Sequence, residues 1–444
     1  MAPLSILIVT FNCARELVQP ELFARHLANV LPNPRGPDIL VLSLQELAPI
    51  AYSFLGGSHL VPYYERLHHT VHIAASTLGE VKYANVITRN VGLTAIMVFA
   101  REELVNQLEW IEAAGVGVGM HEMGNKGAVA ARIGLSVSEG SIMEMTFVAA
   151  HLAPMENGLG RRNEDWKNII RGLAFLPVRQ GSMAAKTHTA QAITDEDRPL
   201  LSGSSDTTMQ LSGLYTPASY LFLAGDLNYR TSSVKPTPKD YSKYPQPTKD
   251  TTDPKYYTHL LEDDQLTREL KAGRTCHGLR EAPIDFPPTY KYSNKARAGA
   301  EADDAVAWHW ANHRWPSWCD RVLYLDLPSW MKDHDPSNRI QVDKYTALPL
   351  MPTSDHRPVA LLLTIPRSPV SPPENEDVDG DLRLHPPYAI DPEWRQKRVA
   401  ARRKEIAVGL GAYFSLTWEG RSILLAMLIG ALGAWAIVQN LVKY

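Results

Sequence analysis

Residues 220–230 read YLFLAGDLNYR. The first five residues are apolar and rich in strand formers, so they predict a buried strand. Asp226 and Asn228 follow directly, and side chains two residues apart on an extended chain point to the same side. A carboxylate there can orient or deprotonate water while an amide holds a phosphate oxygen. The stretch therefore predicts a core strand that carries catalytic groups at its end.

The same arrangement recurs along the chain. Three further apolar runs end on polar side chains: residues 5–11 before Asn12, 39–44 before Gln45 and Glu46, and 146–150 before His151. Two polar clusters instead precede apolar runs: Cys319-Asp320-Arg321 and Ser354-Asp355-His356. Because an antiparallel strand begins where its neighbour ends, we expect all six clusters to meet at one edge of a sheet core. Such a set of Asn, Glu, His and Asp side chains predicts a metal-assisted hydrolytic site.

Composition narrows the class of protein. The chain has 444 residues, 45% of them hydrophobic, which allows one large domain with additions, or two domains. A formal net charge of −3 excludes a broadly basic nucleic-acid binder. Three widely spaced cysteines argue against a disulfide framework and favour a reducing compartment.

The chain divides by composition into four segments. Residues 1–365 form the predicted catalytic domain, interrupted at 178–217 and 231–254 by polar stretches that we expect to be flexible loops. Residues 366–393 are rich in Pro and acidic residues, which is typical of a linker. A basic, helical juxtamembrane segment is expected at 394–420, followed by an apolar segment at 421–442.

The last segment predicts a transmembrane helix. Its apolar run covers about 20 residues, the length of one bilayer crossing. A buried core helix or an amphipathic helix bound to a partner remain alternatives. The basic residues before the run favour a cytosolic catalytic domain, and a short span suits the endoplasmic reticulum membrane. Its position close to the C-terminus predicts a single-pass tail anchor.

Several side chains have a chemistry that suggests a role in metal binding, catalysis or phosphate binding. Glu46 is the preferred candidate ligand for Mg²⁺, which binds one or two carboxylates and keeps most of its water. Asn12 would orient Glu46 or a metal-bound water, although either residue alone could simply cap a strand end. Asp355 and His356 predict an acid–histidine pair, in which the acid orients and charges the imidazole. Lys126, in a Gly-Asn-Lys-Gly stretch, suits phosphate, but such stretches are common.

Eight sequence blocks in this order resemble the inositol polyphosphate 5-phosphatases of the endonuclease/exonuclease/phosphatase superfamily. The blocks are TFN (10–12), LQE (44–46), GNKGAV (124–129), HL…RNEDW (151–166), GDLNYR (225–230), FPPTYKY (286–292), PSWCDRVLY (316–324) and SDHRPV (354–359). Phe11 departs from the Trp usual in the family. The resemblance implies an α/β fold, a four-layer α/β/β/α sandwich of two mixed sheets, plus the C-terminal transmembrane helix. With that helix, the chain is similar to the small tail-anchored phosphatidylinositol 4,5-bisphosphate 5-phosphatases.

The resemblance also implies a reaction, a cofactor and residue roles. The reaction is removal of the 5-phosphate of phosphatidylinositol 4,5-bisphosphate, with Mg²⁺ as cofactor. Glu46 would bind the metal, supported by Asn12. Asp226 would position or deprotonate the water, and Asn228 and His151 would hold the scissile phosphate. His356, paired with Asp355, would stabilise the transition state, and Asp320 would orient the phosphate-binding groups. Tyr290, Lys291 and Arg321 would bind the 4-phosphate. Lys126 would contact a substrate phosphate.

Two other functions remain open from the sequence. A membrane-bound sphingomyelinase of the same superfamily would share Glu46, Asp226, Asn228 and His356, but it has no use for a second phosphate-binding group. A catalytically dead membrane scaffold would require the loss of a catalytic position, and every catalytic position is present. The expected partners are a phosphoinositide lipid and a membrane. No nucleic acid is expected, and the sequence identifies no protein partner.

Overall fold

The structure is a computed structural model that describes residues 2–178, 212–300, 307–334, 338–371 and 380–442. Its strands are β1 Leu4–Asn12, β2 Ile39–Gln45, β3 Tyr83–Val91, β4 Thr94–Arg101, β5 Leu108–Gly117, β6 Gly127–Ser138, β7 Ser141–His151, β8 Leu176–Pro177, β9 Ser219–Asp226, β10 Leu279–Glu281, β11 Asp320–Leu325, β12 Gln341–Ala347 and β13 Val359–Ile365. They form a six-stranded sheet in the order β12-β13-β1-β2-β4-β3. A seven-stranded sheet has the order β10-β11-β9-β7-β6-β5-β8.

Both sheets are mixed. β1 runs parallel to β2, and β7 runs parallel to β9, whereas the other neighbouring strands pair antiparallel. The parallel pairs lie next to the antiparallel strands β13 and β11. The ends of β1, β2, β7 and β9 therefore meet the beginnings of β11 and β13, as the sequence pattern predicts.

Helices connect the strands and form the C-terminal part of the described chain. They are α1 Pro20–Ala28, α2 Ile50–Leu55, α3 Val61–Ser76, α4 Glu102–Val105, α5 Leu159–Gly172, α6 Thr258–Leu261, α7 Gln265–Lys271, α8 Asn294–Ala298, α9 Ser329–His334, α10 Trp394–Leu416 and α11 Trp418–Leu441. Short 3₁₀ helices lie at Gly57–Leu60, Met120–Glu122, Glu156–Gly158 and Pro238–Lys243.

Three apolar layers follow from the alternation of side chains along the strands. Ile6 and Ile8 of β1 belong to the core between the two sheets, where Phe222 of β9 stacks on Phe147 of β7. Leu7 of β1 faces the opposite way, into a second core with α1 and α3, and a third core packs α5 and α7 on the other sheet. The predicted four-layer α/β/β/α sandwich is confirmed.

The predicted insertions are only partly loops. Of residues 178–217, positions 179–211 lie outside the described residues, but Leu214 and Tyr215 are buried in the core beside α5. Residues 231–254 have irregular backbone around the 3₁₀ helix Pro238–Lys243, which begins with a capping box. Tyr244 is buried next to it. These parts pack against the domain because packing removes the apolar surface of their aromatic and aliphatic side chains from water.

The segment predicted as a linker is attached to the domain where it is described. Arg383 is 2% exposed, and its guanidinium donates to the carbonyl oxygen of Asp326 at 2.7 Å. The backbone N–H of Asp391 donates to the carbonyl oxygen of Arg171 in α5 at 2.8 Å. Residues 380–393 of the predicted linker are therefore packed against the catalytic domain. Its residues 372–379 lie outside the described part of the chain.

The C-terminal region consists of two helices. The helix α10 packs along α2, with Glu405 fully buried at the contact. The helix α11 has 24 residues, a mean hydropathy of 2.0 in its most apolar window and no burial in that window. It is long and apolar enough to span a membrane, and among the described residues it is the one helix that passes this test.

Candidate active site

Strand register brings the predicted polar clusters together. Asp226 at the end of β9 is aligned with His151 at the end of β7 on one side. On the other side it is aligned with Asp320 at the beginning of β11. In the facing sheet, Asn12 is aligned with Gln45, the residue before Glu46. The site therefore lies at one edge of the sandwich, between the two sheets.

Asp226 is the centre of the site. Its Oδ2 accepts a hydrogen bond from the Asn12 side-chain amide at 2.9 Å and lies 3.2 Å from His151 Nε2 and 3.9 Å from His356 Nε2. Burial by itself would raise the pKa of the Asp226 carboxyl, but the adjacent His356 and His151 hold it far below its usual range. Asp226 is therefore ionised in any physiological buffer.

His356 is paired with Asp320. Its Nδ1 lies 2.9 Å from Asp320 Oδ2, and Thr289 donates its hydroxyl to the same oxygen at 2.7 Å. Burial opposes the charged imidazolium, but Asp320 and Asp226 together raise the pKa of His356 to about 9. The predicted pairing of His356 with Asp355 is therefore wrong. Asp320 at the start of β11 points into the site, where it orients and charges the imidazole.

Asp355 is paired with Lys291 instead. The Lys291 ammonium donates to Asp355 Oδ2, and the side chains are 26% and 19% exposed. The ammonium also lies 5.3 Å from the centre of the Tyr290 ring, which contacts His356 at a ring distance of 4.5 Å. The FPPTYKY block thus places a partly exposed cation near the Asp320–His356 pair.

Glu46 lies on the opposite wall of the site. Its backbone φ of +46° is left-handed, which non-glycine residues rarely adopt. Arg15 Nε lies 2.9 Å from its carboxylate and Lys126 Nζ lies 3.7 Å from it. Burial would raise the pKa of Glu46, but His151, Lys126 and Arg15 outweigh this and lower it. Sequence reasoning missed Arg15, although it follows Asn12 by only three residues.

Lys126 and His151 face each other. The Lys126 ammonium contacts the His151 imidazole, and His151 is fully buried. Burial, assisted by Lys126, lowers the pKa of His151, whereas Asp226 and Glu46 oppose this shift. The imidazole next to Asp226 can donate an N–H to a carboxylate or a phosphate oxygen.

The nitrogen and the oxygen of the Asn228 side-chain amide each have a hydrogen-bond partner. Its amide N–H donates to the carbonyl oxygen of Leu152 at 3.1 Å, and its oxygen accepts from the Arg230 guanidinium. Arg230 is 1% exposed and lies 4.5 Å from the centre of the Tyr290 ring. Arg230 was missed as a site residue. Its signal was its place in the same GDLNYR block, where a buried cation two residues after Asn228 fixes the amide.

Arg321 does not face the site. Its side chain is completely buried, and it is 3.0 Å from Asp264 and paired with Glu281. Alternation along β11 explains this, because Asp320 points into the site and the next side chain points away. The predicted contact between Arg321 and a substrate phosphate is wrong, and the residue forms a buried ion-pair network instead.

The donor set fits a divalent cation at Glu46. Hard carboxylate oxygens are the ligands that Mg²⁺ prefers, and Glu46 is ionised, 22% exposed at the side chain and close to the ionised Asp226. A second group, formed by Asp226, Asp320 and His356, has ligand atoms within 4.8 Å of one another. There the hydrogen bond between Asp320 and His356 already uses one carboxylate oxygen and one imidazole nitrogen. Glu46 is therefore the better candidate.

The comparison with known families agrees with this geometry. A model of endonuclease/exonuclease/phosphatase family 2 matches residues 9–362, which include every site residue described above. The chain belongs to this family. The match ends before α10, so the two C-terminal helices lie outside the shared domain.

Several relatives within this family carry descriptive names. The chain is 26% identical over 347 residues to type II inositol polyphosphate 5-phosphatase 15 of Arabidopsis thaliana, covering 74% of this chain and 29% of that protein. It is 30% identical over 271 residues to type I inositol polyphosphate 5-phosphatase 13 of the same plant, covering 60% and 22%. The polyphosphatidylinositol phosphatase INP53 of Saccharomyces cerevisiae is 26% identical over 326 residues, covering 73% and 23%. The chain thus spans less than a third of the length of each of these relatives.

A solved structure supports the fold. The inositol polyphosphate 5-phosphatase domain of SPsynaptojanin, in complex with inositol (1,4)-bisphosphate and calcium ion, has a TM-score of 0.55 and 19% sequence identity. The superposition covers 91% of this chain and 90% of that domain. At this identity the likeness shows a shared architecture.

Proposed function

We propose that the protein is a Mg²⁺-dependent phosphatase that removes the 5-phosphate of phosphatidylinositol 4,5-bisphosphate. One observation carries the proposal: an ionised Asp226 lies 3.9 Å from the imidazole of His356, which is charged through Asp320. An anion that orients water beside a cation that receives developing negative charge is what phosphoryl transfer to water needs. The names of the relatives support the substrate class.

Asp226 would act on the water. Its pKa is held so low that it is a weak proton acceptor, so accepting a hydrogen bond from the water is its main contribution before attack. Asn12 donates to the same carboxylate and fixes its orientation. The attacking oxygen is thereby placed in line with the phosphorus, and positioning supplies most of the catalysis in phosphoryl transfer.

Cations around Asp226 would stabilise the transition state. The His356 imidazolium is buried 3.9 Å from the Asp226 carboxylate, and the Lys126 ammonium contacts His151, which lies 3.2 Å from the same carboxylate. Fixed charges in a site that excludes water stabilise developing charge without reorganisation. Glu46 would hold a Mg²⁺ ion, and a bound divalent cation neutralises charge on the phosphoryl oxygens.

Lys291 would bind the phosphate at the 4-position. Its ammonium is partly exposed and lies beside Tyr290, which contacts His356. A substrate phosphate would exchange with Asp355 as the partner of this ammonium, and Lys binds phosphate as a point charge. This second cation favours a substrate with two neighbouring phosphates over sphingomyelin, which has a single phosphodiester.

The C-terminal helix α11 would anchor the protein in a membrane. It is apolar on all sides and unburied in the described chain, and a basic helix precedes it. Basic residues next to a membrane span favour the cytosolic side. We propose that the catalytic domain faces the cytosolic leaflet of the endoplasmic reticulum, where its lipid substrate is within reach.

Phosphate release from the full chain in detergent–lipid micelles tests the activity. The substrates are phosphatidylinositol 4,5-bisphosphate, phosphatidylinositol 4-phosphate and sphingomyelin. We expect release from the first only, abolished by chelator and restored by Mg²⁺. Asp226→Ala should lower turnover by about 10²–10⁴-fold. Undiminished release in chelator contradicts the metal, and release of phosphocholine from sphingomyelin contradicts the substrate.

A further inference from the structure

The helix α10 reaches the active site from outside the family domain. Glu405 is 0% exposed, and its Oε1 accepts a hydrogen bond from the backbone N–H of Gly124 at 2.7 Å. Gly124 opens the loop that ends in Lys126 and β6. A side chain 281 residues away in sequence is thus bonded to the backbone of a site loop.

Backbone hydrogen bonds continue from this contact to the other wall of the site. The carbonyl oxygen of Gly124 accepts from the N–H of Leu93 at 2.9 Å, and the carbonyl oxygen of Leu93 accepts from the N–H of Leu47 at 3.1 Å. Leu47 follows Glu46 directly. The loop is closely packed here, because a Cβ on Gly124 would lie 2.8 Å from the backbone nitrogen of Gly92.

Two further contacts fix α10 in place. The Arg402 guanidinium donates to the carbonyl oxygens of Phe54 at 2.6 Å and Leu55 at 3.3 Å, at the C-terminal end of α2. A cation is favourable there because the last carbonyl groups of a helix are unpaired and carry partial negative charge. Gly409 lies against Phe54, where an added Cβ would be 3.0 Å from the Phe54 Cβ. Arg398 pairs with Glu405 at 3.0 Å, which offsets the cost of burying its charge.

We propose that Glu405 is a positioning residue that holds the 124–127 loop, and through it Lys126, in the geometry that binds the substrate phosphate. The catalytic part of this inference rests on the proposed phosphatase function. The structural part does not, because the hydrogen bond to Gly124 is a property of the resting chain. An N–H that loses its only acceptor in a buried position is costly, so the loop would move to find another partner.

Two conservative substitutions separate this role from a simple ion pair. Glu405→Asp keeps the charge for Arg398, but it withdraws the carboxylate by about 1.5 Å, the length of one carbon–carbon bond. Glu405→Gln keeps the length and an acceptor oxygen for Gly124, but it removes the charge. Arg403→Ala, on the exposed side of the same helix, is the control.

The experiment uses the full chain in detergent micelles and has two readouts. Amide hydrogen exchange of the peptide covering residues 122–127 reports the loop without reference to activity. Steady-state kinetics on phosphatidylinositol 4,5-bisphosphate report its effect on the substrate. For Glu405→Asp we expect exchange at least tenfold faster and kcat/KM about tenfold lower, because moving Lys126 weakens both phosphate binding and transition-state stabilisation. For Glu405→Gln and Arg403→Ala we expect both readouts within about twofold of the parent chain.

The opposite order overturns the inference. If Glu405→Asp behaves as the parent chain while Glu405→Gln loses loop protection, the ion pair is what matters and the contact with Gly124 does not. If Glu405→Asp exchanges faster but the parent chain has no phosphatase activity, the structural role of Glu405 is supported and the proposed function is contradicted. Adding Lys126→Ala gives a further check, because Glu405→Asp should cause no additional loss once Lys126 is absent.

Discussion

Replacing Asp320 by Asn tests the charge state of the active-site histidine. Asp320 Oδ2 lies 2.9 Å from His356 Nδ1 and is the larger of the influences that raise the pKa of that imidazole to about 9. Asn has nearly the same shape but no charge. We expect the pKa of His356 to fall in Asp320→Asn toward its ordinary value of about 6.5.

The expected loss follows from the protonated fraction. At pH 7.5 a pKa of about 9 leaves about 97% of the imidazole charged, whereas a pKa of about 6.5 leaves about 9%. The charged form exists below the pKa and is lost as the pH rises through it. Turnover should therefore fall at least tenfold at pH 7.5, with additional loss because the imidazole is no longer oriented. The alkaline limb of the rate profile should move from near pH 9 toward pH 6.5.

Asp355→Asn is the matched control. It removes a carboxylate adjacent in sequence to His356 that is paired with Lys291, so the alkaline limb should stay much closer to pH 9. The assay is initial phosphate release between pH 5.5 and 10, with circular dichroism at each pH to establish that the fold persists. A limb that moves as far in Asp355→Asn as in Asp320→Asn would refute the assignment of the pair.

Three further predictions concern specificity, stability and membrane attachment. Lys291→Ala should reduce the preference for substrates that carry a 4-phosphate by about tenfold, measured as the ratio of kcat/KM values, and an equal loss on both kinds of substrate would contradict the assignment. Arg321→Ala should instead lower the free energy of unfolding by about 3–5 kcal/mol, measured by urea denaturation, because it leaves two buried carboxylates without their partner. A specificity change in a fully stable Arg321→Ala chain would restore the sequence-based interpretation. Deletion of residues 421–444 should move the protein to the soluble fraction and keep activity on short-chain substrate, whereas a chain that stays in the membrane pellet after an alkaline wash has another anchor.

The short apolar runs that end on polar residues predicted where the polar clusters meet, whereas the four-layer architecture was implied by the resemblance to the 5-phosphatases. The run before Asp226 and the run before His151 became neighbouring parallel strands with those two residues in register. The polar residues at the ends of the strands were more informative than the strands themselves. Burying a polar side chain costs free energy unless it has a partner, so polar residues at a buried edge indicate a site. The segments without such endings were predicted less well, and residues 380–393 were taken for a linker although Arg383 is buried.

The sequence predicted which residues form the site better than it predicted which of them contact one another. Adjacency in sequence suggested that Asp355 serves His356, but the two residues lie in a bend before β13, where Asp355 is paired with Lys291. The partner of His356 came from another strand, Asp320, which no local pattern could reveal. Alternation along β11 turned Arg321 away from the site. Arg230 was visible in the GDLNYR block, but its role required the position of Tyr290 from a distant loop.

The sequence by itself determined which side chains are available and which edge of the sandwich they occupy, because strand periodicity and chain order are local properties. Only the tertiary structure decided which carboxylate charges His356, which cation faces solvent, and that Glu405 of α10 bonds to Gly124. These contacts join residues that are far apart along the chain, with sequence separations of 36 for Asp320 and His356 and 281 for Gly124 and Glu405. Long-range contacts of this kind depend on how whole elements pack, and no spacing within one segment encodes them.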